Sequence, residues 1–229
     1  MSENSKNGFL LVDKPIKWTS FDVVKKIRTI LQAQYAIKKI KVGHAGTLDP
    51  LATGLLILCV GKMTKNIYKF QELEKEYWGC MKLGSSTPSY DLETEIDNVY
   101  CYKHITKEMI YQKTKNFCGK ILQSPPIYSA LKKNGVRLYE KARKGEKIKI
   151  EPRKVEVFKF EITKIEFPNV YFNITCSKGT YIRSIANDFG KSLNSGAHLT
   201  ALCRRRIGNY NLNNAININT VKNIELINQ

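Results

Sequence analysis

Acid is scarce in this chain. Against 38 Lys and Arg there are only 20 Asp and Glu, so its 229 residues carry a formal charge of +18 and a pI near 9.6. A compact domain with that imbalance repels itself, which points to an anionic partner, and nucleic acid is the commonest. Long apolar runs are also missing. No stretch approaches the roughly 20 residues of a spanning helix, and no amphipathic helix sets a lysine-rich face against exposed Trp or Phe. Both absences argue against a membrane. The opening MSENSKNGFLLVDKP has too short an apolar run for a secretory signal, so the expected location is the cytoplasm. Cys59, Cys80, Cys101, Cys118, Cys176 and Cys203 form no C-x-x-C pair, and His44, His104 and His198 are the only histidines. No zinc spacing results. The thiols are expected to be reduced and mostly buried in or beside strands.

A hydrophobic content of 42%, with 10% aromatic, supports a folded core of one large domain or a domain with a sizeable insertion. Within it, GHAGTLDPLATG (43–54) stands out, because Asp49 is the sole acidic residue between Asp22 and Glu72 and is set among nine cations. A lone carboxylate in a basic field is a candidate for chemistry. Gly43, Gly46 and Gly54 open unusual backbone angles, and Pro50 biases Asp49 toward extended ones. Asp49 should therefore sit on a stiff loop, anchored by the buried strand LLILCVG. An Asp beside Gly and Pro also caps turns, and spacing alone leaves both readings open.

In chain order, FLLVDKP reads as a strand. Thr19 or Ser20 caps the next helix, whose inward face carries Phe21, Val23, Val24, Ile27, Ile30 and Leu31. A short helix over 64–70 places Lys65 as an anion contact or a solvated lysine. EYWGCMKLGSST alternates as a strand, with Tyr77 at its start and Asp91 in the loop beyond. A helix follows Thr106. Between 121 and 154 the chain changes character. Lys132, Lys133, Arg137, Arg143, Arg153 and other cations mix with Tyr128, Leu138 and Tyr139 inside a frame of prolines, which suits an arm closing on an RNA backbone. Two alternating strands cover 155–176. A helix starting at Thr180 buries Ile182, Ile185, Ala186, Phe189 and Leu193 and tolerates Gly190. It carries Arg183 in its first turn, where the dipole disfavours a cation, so a carboxylate, a phosphate or a surface ion pair should meet it. Arg204, Arg205 and Arg206 form a final basic cluster. The pattern implies a mixed α+β sheet with one basic insertion.

These residues resemble the TruB type of tRNA pseudouridine synthase, from DKPIKWTS through GHAGTLDPLATG, GKMTK, YWGCMKLGSST, SPPIYSALKKNGVRLYEKAR and CSKGTYIRSIANDFG to GAHLTALCRRRIG. The resemblance implies a single catalytic domain over 1–229, with a mixed, largely antiparallel central sheet, flanking helices and a thumb-like insertion at 121–154. It further implies isomerisation of uridine 55 in the tRNA T loop to pseudouridine, without metal or organic cofactor, by a monomer needing no protein partner. Asp49 matches the catalytic aspartate, Tyr77 the tyrosine that stacks on the base and serves in proton transfer, and Arg183 the arginine paired with the aspartate. His44, Tyr181 and Leu202 match substrate contacts, and Lys65 and Asp91 match active-site support. Lys132, Lys133, Arg137, Arg143 and Arg153 would meet the RNA backbone. A tRNA-folding chaperone on the same scaffold and a guide-dependent ribosomal RNA synthase are the rival readings.

Three positions depart from the family pattern. Lys17 replaces a usual Gly, which could reshape the turn before the first helix without touching Asp49. YDLETEID lacks a Gly after its aspartate. Cys203 stands where an arginine is expected, and Arg204 to Arg206 could compensate. About twenty residues follow GNY, too few for the RNA-binding PUA domain that many relatives append.

Overall fold

The computed structural model describes residues 6–129, 131–133, 135–144 and 150–228, without the side chains of Lys132, Lys133, Arg137 and Arg143. In chain order the elements are β1 (Gly8–Lys14), α1 (Ser20–Gln34), β2 (Val42–His44), β3 (Thr53–Val60), a 3-10 turn (Gly61–Asn66), α2 (Ile67–Glu72) and β4 (Lys75–Leu83). Then come β5 (Ser85–Ser86), β6 (Asn98–Val99), α3 (Lys107–Lys115), β7 (Gly119–Gln123), β8 (Lys132–Lys133), β9 (Val136–Arg137) and α4 (Leu138–Arg143). The chain continues through β10 (Arg153–Glu166), β11 (Asn169–Cys176), α5 (Ile182–Ser192), β12 (Ala197–Ile207), β13 (Tyr210–Asn211) and β14 (Ile216–Asn217). Mixed sheet and flanking helices make the fold α+β, and two compact units divide it: residues 1–77 with 202–229, and residues 78–201.

In the first unit the strand order is β14, β1, β3, β12. β1 lies antiparallel along the whole of β3, from Gly8 opposite Val60 to Lys14 opposite Gly54. The other edge of β3 is shared. β2 pairs antiparallel with Leu58 to Val60, and β12 pairs parallel with Thr53 and Gly54. β3 is buried on both faces, which is why it reads as an unbroken apolar run rather than an alternating one. Leu56, Leu58 and Val60 pack with Leu10 and Val12 under α1, while Leu55, Ile57 and Cys59 pack with Phe9, Leu11 and Phe70 on the opposite face.

α1 starts with a complete capping box: Asp22 N donates to the Thr19 hydroxyl at 3.0 Å, and Thr19 N donates to the Asp22 carboxylate at 2.9 Å. Val23, Val24, Ile27 and Leu31 form its buried stripe, but Phe21, expected inward, is 62% exposed. At 100° per residue Phe21 falls well off that stripe. In the turn before α1, where the family pattern led to an expected Gly, Lys17 adopts φ 69°, in the left-handed region that favours glycine.

In the second unit β12, β4, β11, β10 and β7 follow one another. Its core gathers Phe117, Phe160, Phe172 and Phe189 edge to face or tilted. β7 and β10 pair antiparallel with Gln123 opposite Arg153, and between them in the chain β8 pairs antiparallel with β9 ahead of α4. α5 begins at Ile182 with Tyr181 as its cap, two residues later than the expected start at Thr180.

Candidate active site

The loop that carries Asp49 leaves β2, returns into β3 and is pinned on both sides of the aspartate. Before it, Leu48 N donates to the Ser20 hydroxyl at 2.9 Å, and that hydroxyl donates back to Leu48 O at 3.2 Å. After it, Pro50 O accepts from Lys17 N at 2.7 Å and from Lys14 Nζ at 3.3 Å. Ala52 N closes a turn on Asp49 O at 3.0 Å. The expected stiff loop is therefore observed. The Lys17 turn, expected to be remote from Asp49, instead holds the residue next to it.

Two buried cations lie in the same unit. Lys14 is fully buried, and its ammonium donates to the carbonyls of Pro15, Trp18 and Pro50. Burial pulls its pKa down to about 8, Asp49 opposes that pull, and Arg204 adds to it. Arg204 is 1% exposed. Burial, with Arg204 as the secondary cause, depresses the His44 pKa, so that imidazole is neutral at pH 7. Nδ1 of His44 is buried without a hydrogen-bond partner among the described residues. Tyr77 is buried on β4, Leu202 O accepts from the Thr53 hydroxyl on β12, and Lys65 is exposed on the 3-10 turn.

The three arginines expected as one basic cluster are dispersed. Arg204 is buried, Arg205 is exposed, and Arg206 is held by Glu74 at 2.7 Å and Glu76 at 3.0 Å. Strand alternation sends neighbouring side chains to opposite faces, which separates the exposed Arg205 from its two neighbours. The cysteines also divide. Cys59, Cys80 and Cys176 are buried, Cys203 is half-buried, and Cys101 and Cys118 are exposed, so only half of the thiols expected to be mostly buried are so; all six are free thiols.

The second unit brings Arg183, Asp91 and Tyr181 into order. Arg183 is 3% exposed; its guanidinium donates to Ser89 O at 3.1 Å and Tyr128 O at 2.9 Å, and its Nε lies 3.7 Å from the Asp91 carboxylate. Of the partners expected for Arg183, a carboxylate, a phosphate or a surface ion pair, the structure shows a carboxylate, and the pair is buried rather than superficial. Asp91 is held by Glu93 N at 2.9 Å. The backbone of Tyr181 is clasped by the buried Gln123 amide, which donates to Tyr181 O at 3.0 Å and accepts from Tyr181 N at 2.7 Å.

Lys14 and Gln123 were not singled out in the sequence, Ser20 only as a possible helix cap, and Arg204 only as part of a basic cluster that could compensate for Cys203. Arg153, at the start of β10, is exposed. The side chains of Lys132, Lys133, Arg137 and Arg143, expected to meet the RNA backbone, lie outside the described residues. Among the described residues no group of three or more His, Cys, Asp or Glu could hold a metal ion, and no helix is long and apolar enough to cross a membrane.

The mixed-sheet α+β fold is shared with solved structures. A crystal structure of a Cbf5–Nop10–Gar1 complex superposes with a TM-score of 0.69 at 28% identity, covering 93% of this chain and 53% of that one, so the present chain spans about half its length. The model of the TruB family pseudouridylate synthase N-terminal domain matches residues 28–182. A tRNA pseudouridine synthase B of Flavobacterium johnsoniae is 56% identical over 210 residues, 91% of this chain and 92% of that protein. The homologue of the same name from Phocaeicola vulgatus is 48% identical over 216 residues, 94% and 92% of the two chains. The chain belongs to the TruB family of pseudouridylate synthases.

Proposed function

We propose that this chain converts uridine 55 in the T loop of tRNA to pseudouridine, with Asp49 acting on a flipped-out nucleotide. The observation that carries the reading is the 56% identity, over nine-tenths of both chains, to a protein named tRNA pseudouridine synthase B. The reaction breaks the bond from C1′ to N1, turns the freed uracil and joins C1′ to C5, while the C5 proton leaves and N1 gains one. Nothing is oxidised and no water is consumed. One carboxylate suffices, by attack on C1′ or C6 or by assisting loss of the 2′ hydrogen.

Asp49 must be ionised when the base arrives. A nearby cation favours that form, and Arg183 is the family's partner for it; the bonds of Arg183 to Ser89, Tyr128 and Asp91 would keep the guanidinium oriented. Extruding a stacked uridine costs a few kcal/mol. Stacking on Tyr77, at roughly 1–3 kcal/mol per base, offsets much of it. His44 holds the T loop open, Tyr181, Leu202 and Lys65 contact the substrate, and the arm's cations neutralise phosphates. Specificity follows the shape of the loop rather than base edges. The enzyme works as a cytoplasmic monomer without a guide or protein partner.

The test is incubation of the purified chain and its Asp49→Asn variant with unmodified tRNA transcript and with a T stem-loop, mapping pseudouridine by carbodiimide primer extension. Wild type should modify position 55 in both RNAs, while Asp49→Asn binds them and modifies neither. An active Asp49→Asn variant removes Asp49 from the mechanism. A wild type that refolds tRNA but leaves no pseudouridine identifies a chaperone, and modification only with added guide proteins identifies the guide-dependent class.

A further inference from the structure

Arg204 opens what the sequence presents as a basic cluster, yet it is among the largest fully buried side chains. Its guanidinium is committed to main-chain carbonyls. Nε donates to Leu55 O at 2.8 Å and Nη2 donates to Gly46 O at 3.0 Å. Gly46 and Leu55 stand on opposite sides of Asp49 in the chain, so one side chain ties the outgoing arm of the loop to the returning one. The approach that allows this is built into the backbone. Arg204 is in parallel register with Gly54, which has φ 102°, and a Cβ there would run into the main chain of Arg204 and come within 2.9 Å of Cys203 Sγ. Only glycine lets β12 come this close to the base of the loop.

A buried guanidinium is an expensive way to hold two carbonyls, since removing its charge from water must be repaid by good geometry. The planar fork of arginine gives that geometry, and a lysine ammonium does not. Ser20 and Lys17 already anchor the residues adjacent to Asp49. Arg204 supplies what they lack, a link across the loop and a fixed positive charge beneath it.

We propose that Arg204 is a positioning residue for the isomerisation: by bridging Gly46 and Leu55 it fixes the Asp49 carboxylate in its reactive placement. The inference rests on Asp49 being the reacting group. Small displacements of such a group cost about 100-fold in rate.

The experiment measures single-turnover pseudouridine formation at saturating tRNA, and tRNA Kd separately, for wild type, Arg204→Lys, Arg204→Gln and Asp49→Asn. Expected is a loss of about 100-fold in rate for both Arg204 variants, with Kd changed less than about threefold. Lysine should fail to rescue, because it keeps the charge and loses the fork. Folded Arg204 variants that turn over within about threefold of wild type overturn the proposal, as do equal losses in rate and Kd. An active Asp49→Asn variant would instead fault the assignment of Asp49. Should both Arg204 variants fail to fold, Gly46→Ala shifts the acceptor carbonyl at φ 113° and keeps every buried charge. It should show the same slow rate with intact binding, and a wild-type rate there also overturns the proposal.

Discussion

Lys14 shows how much one buried residue can be asked to do. Fully covered, it satisfies three carbonyls that an apolar residue would leave bare, and a charged ammonium has the three donors this requires. Burial lowers its pKa from 10.5 to about 8. Between these values the unfolded chain holds a proton that the folded chain has released, so unfolding takes up protons and stability rises with pH. Compared with a Lys14→Met variant, the wild type should gain unfolding free energy as pH climbs from about 8 to 10.5 and show no relative change well below 8. Urea unfolding at stepped pH measures this, and a flat difference across that window would show that Lys14 stays protonated throughout. Lys17 poses the complementary case, in which a residue with a Cβ accepts a left-handed angle and its amide still reaches Pro50.

Among the elements, α5 and its join to β12 illustrate competing magnitudes. Gly190 lies in the last turns of α5, where intrinsic propensity favours alanine by about 1 kcal/mol. A Cβ at that position would collide with the backbone of Gly196 and Ala197, which lead into β12. Backbone cannot move aside as a side-chain tip can, so overpacking at about 1–3 kcal/mol should win. Gly190→Ala is expected to lower the unfolding free energy by about 1–2 kcal/mol, read from a urea midpoint. The sequence presented this glycine as tolerated, whereas packing makes it required. Other features of the elements were visible beforehand. Thr19 was one of two cap candidates, and the continuous run in β3 announced a buried strand.

For the whole molecule, the net charge of +18 is a statement about binding. If Lys132, Lys133, Arg137, Arg143 and Arg153 each neutralise one phosphate, log affinity for tRNA should fall linearly with log salt, with a slope of about −3.5 to −4.5. Arg153→Gln should reduce that slope by about 0.7–0.9 and weaken all tRNAs alike. Filter binding across a salt series provides the measurement. An unchanged slope would place Arg153 outside the RNA interface. This long-range attraction says nothing about where chemistry happens, and the two kinds of information separate cleanly in the chain.

By itself the sequence determined what depends on neighbours in the chain: the helix caps, the buried strand, the isolation of Asp49, and the need of Arg183 for an anionic partner. These follow from local geometry and from charges counted along a short stretch. The tertiary structure decided what depends on which strands lie side by side. Arg204 reaches Leu55 across 149 residues of sequence, and Gln123 holds Tyr181 across 58. Neither spacing leaves a periodic trace, because such contacts are set by sheet order and by the close approach that Gly54 permits. Strand alternation set the exposed Arg205 apart from its neighbours, and tertiary partners then divided those two, Arg204 against the carbonyls of Leu55 and Gly46 and Arg206 against Glu74 and Glu76.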